Sequence, residues 1–152
     1  MKFEIKTFEE LNCKELYKII KARVDIFVVE QYCAYPECDN KDYKSVHLFQ
    51  KKDDKITAYL RIIPAGISYD EPSIGRVLVD KDYRREGRAK KMMLKALEYI
   101  ENNFTDKNNG QDSVRISAQK YLLDFYTSLG FKKVSEEYLE DGIPHYEMLY
   151  KY

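Results

Sequence analysis

The stretch from Ile74 to Phe104 constrains this chain more than any other. Ile74–Val79 is an apolar run that reads as a buried strand, and Tyr83-Arg84-Arg85-Glu86-Gly87-Arg88-Ala89 follows it. Ala89, Met93, Ala96, Leu97, Ile100 and Phe104 then recur on one face of a helix over 87–104. A strand that turns this tightly into a helix sets the first helical amides beside the strand end. Those amides have no partner within the helix, and they lie at the positive end of its dipole. Gly87 lets the backbone approach an anion closely, and Arg84, Arg85 and Arg88 add charge. The combination predicts a site for a ligand carrying a pyrophosphate.

The other elements fall on both sides of this unit. Residues 3–8 alternate as a strand. Asn12 and Glu15 read as a capping box, and Leu16, Ile19, Ile20, Val24 and Phe27 keep helical spacing after it. Residues 31–45 read as a long surface loop with a helical turn, and loops of this length are often functional. Strands are expected at 46–51 and 57–64, forming a hairpin, then at 73–80 and 114–118. Leu122, Phe125, Tyr126 and Leu129 mark a helix that Gly130 stops. Strands at 131–137 and 145–150 complete the chain. The order β-α-β-β-β-α-β-α-β-β predicts an α/β domain with a mixed sheet, and a length of 152 residues predicts a single domain over 1–152.

Composition removes several classes of function. Lys plus Arg and Asp plus Glu number 26 each, so the bulk positive field of a dedicated nucleic-acid binder is missing. No apolar run approaches the ~20 residues of a membrane span. The N-terminus has no secretory pattern, and Cys13, Cys33 and Cys38 lack C-x-x-C spacing. Free thiols, no metal site and a cytoplasmic location are expected.

The segment Val77-Leu78-Val79 with Arg84, Gly87 and Ala89 resembles the acetyl-CoA motif of the GCN5-related N-acetyltransferase (GNAT) superfamily. A second superfamily element, Tyr126-Thr127-Ser128-Leu129-Gly130-Phe131, follows at the expected distance. Arg23 with Phe27–Gln31, Ile74–Val77, Ala118-Gln119 and Asp141–His145 are similar to the ElaA-type branch of predicted acyltransferases. The resemblance covers essentially the whole chain. It implies a GNAT fold, a mixed sheet of about seven strands flanked by about four helices.

It also implies N-acetyl transfer from acetyl-CoA to a primary amine of a small molecule or peptide, without a covalent intermediate. Backbone amides over Arg85, Glu86, Gly87, Arg88 and Ala89, with Arg84, would hold the pyrophosphate. The pantetheine arm would lie along Val77, Leu78 and Val79, and a backbone amide near Leu78 would polarise the thioester carbonyl. Gln119 is a further candidate for a coenzyme contact. Tyr126 would be the acid, and Glu30 and His145 are candidates for the base, directly or through a water. Arg76, in an apolar strand, either pairs a structural carboxylate or faces the substrate; Arg23 is expected to bridge to loop 31–45.

The resemblance also implies that residues 30–44 and the loop 136–141 border the acceptor side of the cleft, where Glu30, Glu37, Asp39 and Asp42 (against Lys41 and Lys44) and Glu136, Glu137, Glu140 and Asp141 would form an acidic wall for a cationic amine. A catalytically silent acyl-CoA-binding domain is the main alternative. Nucleic-acid binding through Lys81–Lys91 and a role like that of acyl-homoserine-lactone synthases fit less well. The assembly expected is a monomer or homodimer.

Overall fold

A computed structural model describes residues 1–152. Its strands are β1 (Glu4–Thr7), β2 (Val46–Lys52), β3 (Lys55–Ile63), β4 (Ser73–Val79), β5 (Ser113–Gln119), β6 (Lys132–Lys133), β7 (Tyr138–Glu140) and β8 (Ile143–Lys151). The helices are α1 (Cys13–Arg23), α2 (Arg88–Phe104) and α3 (Leu123–Ser128). One sheet runs β1-β2-β3-β4-β5-β8-β6, with β7 on β8. This is the mixed α/β sheet the sequence predicts, with one short extra strand. Three α-helices stand where the resemblance implied about four, and Val24–Glu30, read as the end of the first helix, is a π-helical segment continuous with α1.

Local chemistry sets the elements. Asn12 caps α1 in a complete capping box: its Oδ1 accepts from the Glu15 amide at 2.9 Å, and Glu15 Oε2 accepts from the Asn12 amide at 3.2 Å. Met92, Met93, Ala96, Leu97 and Ile100 of α2 are buried on the sheet face that carries Leu48, Leu60, Ile74 and Ile116. Tyr126, Leu129 and Phe131 close the same core. Against the opposite face, Ile19 of α1 packs on Phe49, Ile56, Tyr59 and Leu78, with Ile26 and Phe27 of the π segment beside them. Gly130 ends α3 at φ +100°, and a Cβ there would come within 3.2 Å of the Tyr150 ring.

Two irregularities open a cleft. β4 and β5 are the parallel pair, and their register holds only at Ser73–Arg115, with the Arg115 amide donating to Pro72 O at 3.0 Å. Every other pairing in the sheet is antiparallel. From Ser73 onward the two strands part. Opposite β3, Arg76 and Val77 together face Leu60, a β-bulge in which Arg76 sits at φ +55°. A side chain in this left-handed region is strained, and such positions favour functional sites.

Candidate active site

The parted strands form one wall of a cleft of about 870 Å³. Val77, Leu78 and Val79 line it on the β4 side, Ile116, Ser117 and Gln119 on the β5 side, and Arg85, Gly87, Arg88, Ala89 and Lys90 at its head. Gly87 caps α2 at φ +72°, Arg85 lies at φ +66°, and a Cβ on Gly87 would meet no atom within 4 Å. The helix N-terminus therefore opens onto free space, as anion binding requires. The cations there differ in their engagement. Arg84 donates to Val79 O at 3.0 Å and forks onto Glu30, at 2.7 and 3.0 Å. Arg88 turns back to Glu86 at 2.6 Å, contacts Gln50 and lies over the Tyr83 ring. Arg85 and Lys90 have no side-chain partner and face the cleft.

Residues 30–33 cross from the π segment over the parted strands. Glu30 reaches Arg84, and Gln31 and Gln119 exchange amide hydrogen bonds at 3.2 Å. Cys33 Sγ donates to Asp141 O at 3.4 Å. The single crossing segment thus ties the head of the cleft to its β5 wall. The three cysteines are free thiols.

The deeper part holds the titratable candidates. Tyr126 lines the cleft, is 6% exposed, and has no hydrogen-bond partner for its hydroxyl. Burial, helped by nearby Tyr121, holds its phenol well above the ordinary tyrosine range. His145, at the start of β8, has Nδ1 2.6 Å from Ile143 O and Nε2 3.2 Å from Glu140 Oε2. A carbonyl only accepts, so Nδ1 carries the proton and Nε2 faces the carboxylate. His145 is 5% exposed, whereas the Glu140 side chain is 50% exposed. Glu140 Oε2 also accepts from Ser117 Oγ at 3.4 Å, and the Tyr138 ring stacks on His145 at 6.0 Å.

The family model described as "Acetyltransferase (GNAT) domain" matches residues 14–152. The chain belongs to the GNAT family. It is 45% identical over 149 residues to a UPF0039 protein of Schizosaccharomyces pombe, covering 97% of this chain and 95% of that one. It is 38% identical over 141 residues to protein ElaA of Escherichia coli, covering 91% and 89%. The crystal structure of Escherichia coli ElaA superposes with a TM-score of 0.90, covering 99% of this chain and all of that one. An acyl-CoA N-acyltransferase from Pseudomonas aeruginosa also gives 0.90, at 35% identity and 98% coverage of both chains.

Within this GNAT scaffold the acidic residues are not where the sequence suggested. Loop 31–45 is bound to the sheet by a buried ion network. Arg23, fully buried, donates to Glu37 Oε1 at 2.5 Å and Asp42 Oδ1 at 2.7 Å. Arg61, 2% exposed, forks onto Asp39 at 2.7 and 2.8 Å and donates to Asp42 at 2.9 Å. Arg76 Nε donates to Glu37 Oε1 at 2.8 Å, and its guanidinium lies over the Tyr35 ring. Arg76 thus does both things left open for it: it pairs a structural carboxylate and lines the cleft. Arg23 makes the expected bridge to the loop.

The free acidic wall expected over 30–44 is overturned, because Glu37, Asp39 and Asp42 face Arg23, Arg61 and Arg76, and Glu30 faces Arg84. On the far wall Lys120 pairs with Glu137, leaving Glu140 and Asp141 lining the cleft.

Sequence reasoning passed over Arg61, His47 and Ser117. Arg61 stands between Leu60 and Ile62 in a strand whose neighbours are buried, the same signal that marked Arg76. His47 is buried on β2; its Nε2 donates to Asp42 O at 3.1 Å, so Nδ1 accepts from Tyr59 OH at 2.8 Å. Burial lowers its pKa and keeps it neutral. No group of three or more His, Cys, Asp or Glu side chains is placed to hold a metal ion.

Proposed function

We propose that the protein is an N-acetyltransferase that moves an acetyl group from acetyl-CoA directly to a primary amine of a small molecule or peptide. The observation that carries this reading is the continuity of the cleft. It runs from the open N-terminus of α2, along the parted edge of β4, past the bulge at Arg76 to the unpartnered Tyr126 hydroxyl. Backbone amides over Arg85–Ala89, with Arg85 and Lys90 beside them, would hold the pyrophosphate of the co-substrate. The free edge at Val77–Val79 would pair the pantetheine amides like an added strand. Gln31 and Gln119 would cover it.

Catalysis is divided between two groups. The exposed Glu140 carboxylate receives the incoming ammonium and takes one proton from it, which is then shared across the 3.2 Å contact with Nε2 of His145 behind it. The Nδ1–H bond to Ile143 O orients the ring and supports the imidazolium. The neutral amine then forms the C–N bond as the C–S bond breaks. Tyr126, kept protonated by burial, gives its phenolic proton to the departing sulfur and takes back the second proton of the new C–N nitrogen, so that CoA leaves as the thiol and the amide is neutral. Glu30, bound on both oxygens by Arg84, is assigned to holding the coenzyme loop rather than to proton transfer. A cytoplasmic setting suits the free thiols and the co-substrate.

Thiol release from acetyl-CoA, measured with a library of primary amines, tests the reading. Amine-dependent release with matching N-acetyl product is expected. A protein that binds CoA tightly yet acetylates no amine would instead be a silent acyl-CoA-binding domain.

A further inference from the structure

Beyond the bulge at Arg76 the cleft continues toward Ser73, where β4 and β5 pair, about three strand residues or ~10 Å further along β4. Arg61, Ser68, Tyr69, Ser73 and Gly75 line this end. It lies past the point where the thioester would sit, so it belongs to the acceptor. Two features mark it as built for a ligand. Arg61 Nε and Ser68 Oγ are the buried side-chain polar atoms with no hydrogen-bond partner. An unpaired buried donor costs the full desolvation of that group, and such atoms in a native fold call for an explanation. The second feature is space. A Cβ on Gly75 would meet no atom within 4 Å.

The charge of this wall is also defined. Arg23, Arg61, Arg76 and Lys41 face Glu37, Asp39 and Asp42, four cations against three anions, and Lys41 has no carboxylate partner. Both Nη atoms of Arg61 are held by Asp39, which fixes the guanidinium and leaves Nε–H unused. Arg76 Nη1 makes no hydrogen bond, and the side chain remains 23% exposed. Across the cleft, Glu140 and Asp141 supply the negative charge. One wall suits an ammonium and the other suits an anion.

We propose that the acceptor carries a carboxylate as well as its amine, and that the end of the cleft lined by Arg61 and Ser68, with Arg76 at its mouth, binds that carboxylate. The acceptor class is then amino-acid-like, a zwitterion in place of the purely cationic amine that the acidic sequence suggested. Burial pushes the Tyr69 phenol up to about 12, so it stays a neutral donor beside the same site. The proposal rests on the acyltransferase reading, but the carboxylate site can be tested without turnover.

The experiment titrates CoA-saturated protein with matched pairs of free and N-acetylated amino acids, from small to aromatic side chains, each beside its carboxamide. Calorimetry or NMR shifts give the affinities. At least one acid is expected to bind ~10-fold or more tightly than its amide, the scale of losing a charge-assisted hydrogen bond. Ser68→Ala, which leaves the ion network intact, is expected to reduce that ratio several-fold. If no acid in the panel exceeds its amide, or the amides bind better, the proposal falls whether or not the protein turns over. Absence of acetyl transfer with the acid preference intact would overturn the catalytic reading and leave the carboxylate site standing.

Discussion

At the scale of single residues, the site depends on groups whose surroundings set their protonation. Tyr126 is buried against Phe125 and Phe131, and its phenol stays neutral through the range where an amine reacts. Tyr126→Phe is therefore expected to lower kcat by ~10²-fold or more and to leave CoA affinity within a factor of two, read by thiol release beside calorimetry. Any basic limb of the pH–rate profile below pH 10 must come from another group. An unchanged kcat, with chemistry limiting, would reduce Tyr126 to a packing residue.

Glu15 shows the structural side of the same physics. Burial alone would raise its pKa, but hydrogen bonds from Lys51, Lys6 and the Asn12 amide outweigh that and hold it at about 2. Its contribution, on the order of 3 kcal/mol, is complete above its unfolded value near 4.5 and fades as pH falls toward 2. His47 is lowered by burial, so the unfolded chain takes up its proton first. Its contribution is complete above about 6.5 and is lost as pH drops below that. Urea midpoints should thus fall in two stages, beginning near pH 6.5 and steepening below 4.5. His47→Gln should flatten the first stage.

At the scale of elements, the turn between β4 and α2 carries the coenzyme reading. Gly87 needs its left-handed φ of +72°, and the space beside it is empty. Gly87→Glu is expected to raise the Kd for CoA by ~100-fold or more, because a carboxylate would occupy the place of phosphate and a side chain would strain the backbone. Calorimetric titration of the folded variant reads this directly, and an unchanged Kd would move the phosphate site elsewhere. The π segment has a different role. Its wider turns carry Glu30 and Gln31 to Arg84 and Gln119, so one segment at the end of α1 reaches both walls of the cleft. Wide turns of this kind often occur at functional sites.

At the scale of the molecule, one ion network joins α1, loop 31–45, β3 and β4. Glu37 Oε1 is shared by Arg23 and Arg76, and its Oε2 accepts from the Tyr35 hydroxyl. Breaking a buried network by removing one member is costly, because the remaining charges stay desolvated. Glu37→Gln is expected to lower unfolding free energy by ~3 kcal/mol and to speed hydrogen exchange across 31–45, and a change under ~0.5 kcal/mol would show the network to be dispensable.

Local sequence by itself determined a good part of this protein. Helical spacing from Ala89 to Phe104, the cap at Asn12, the stop at Gly130 and the alternating strands are short-range properties, and most elements form close to where those patterns place them, whereas the strand expected at 131–137 shrinks to Lys132–Lys133. The turn proposed to hold phosphate was legible for the same reason: a strand end, a glycine and a helix start are adjacent in the chain.

Tertiary structure alone decided which charges meet. Arg61 and Asp39 are 22 residues apart, Arg76 and Glu37 are 39, and Arg84 and Glu30 are 54. The acidic residues of loop 31–45 looked solvated because nothing in their neighbourhood along the chain neutralises them. Folding brings three arginines of α1, β3 and β4 against them, and the low dielectric of the interior makes that pairing obligatory. The character of the acceptor wall is therefore a property of the packed sheet and loop, since charge pairing acts through space and the order of residues records only sequence distance.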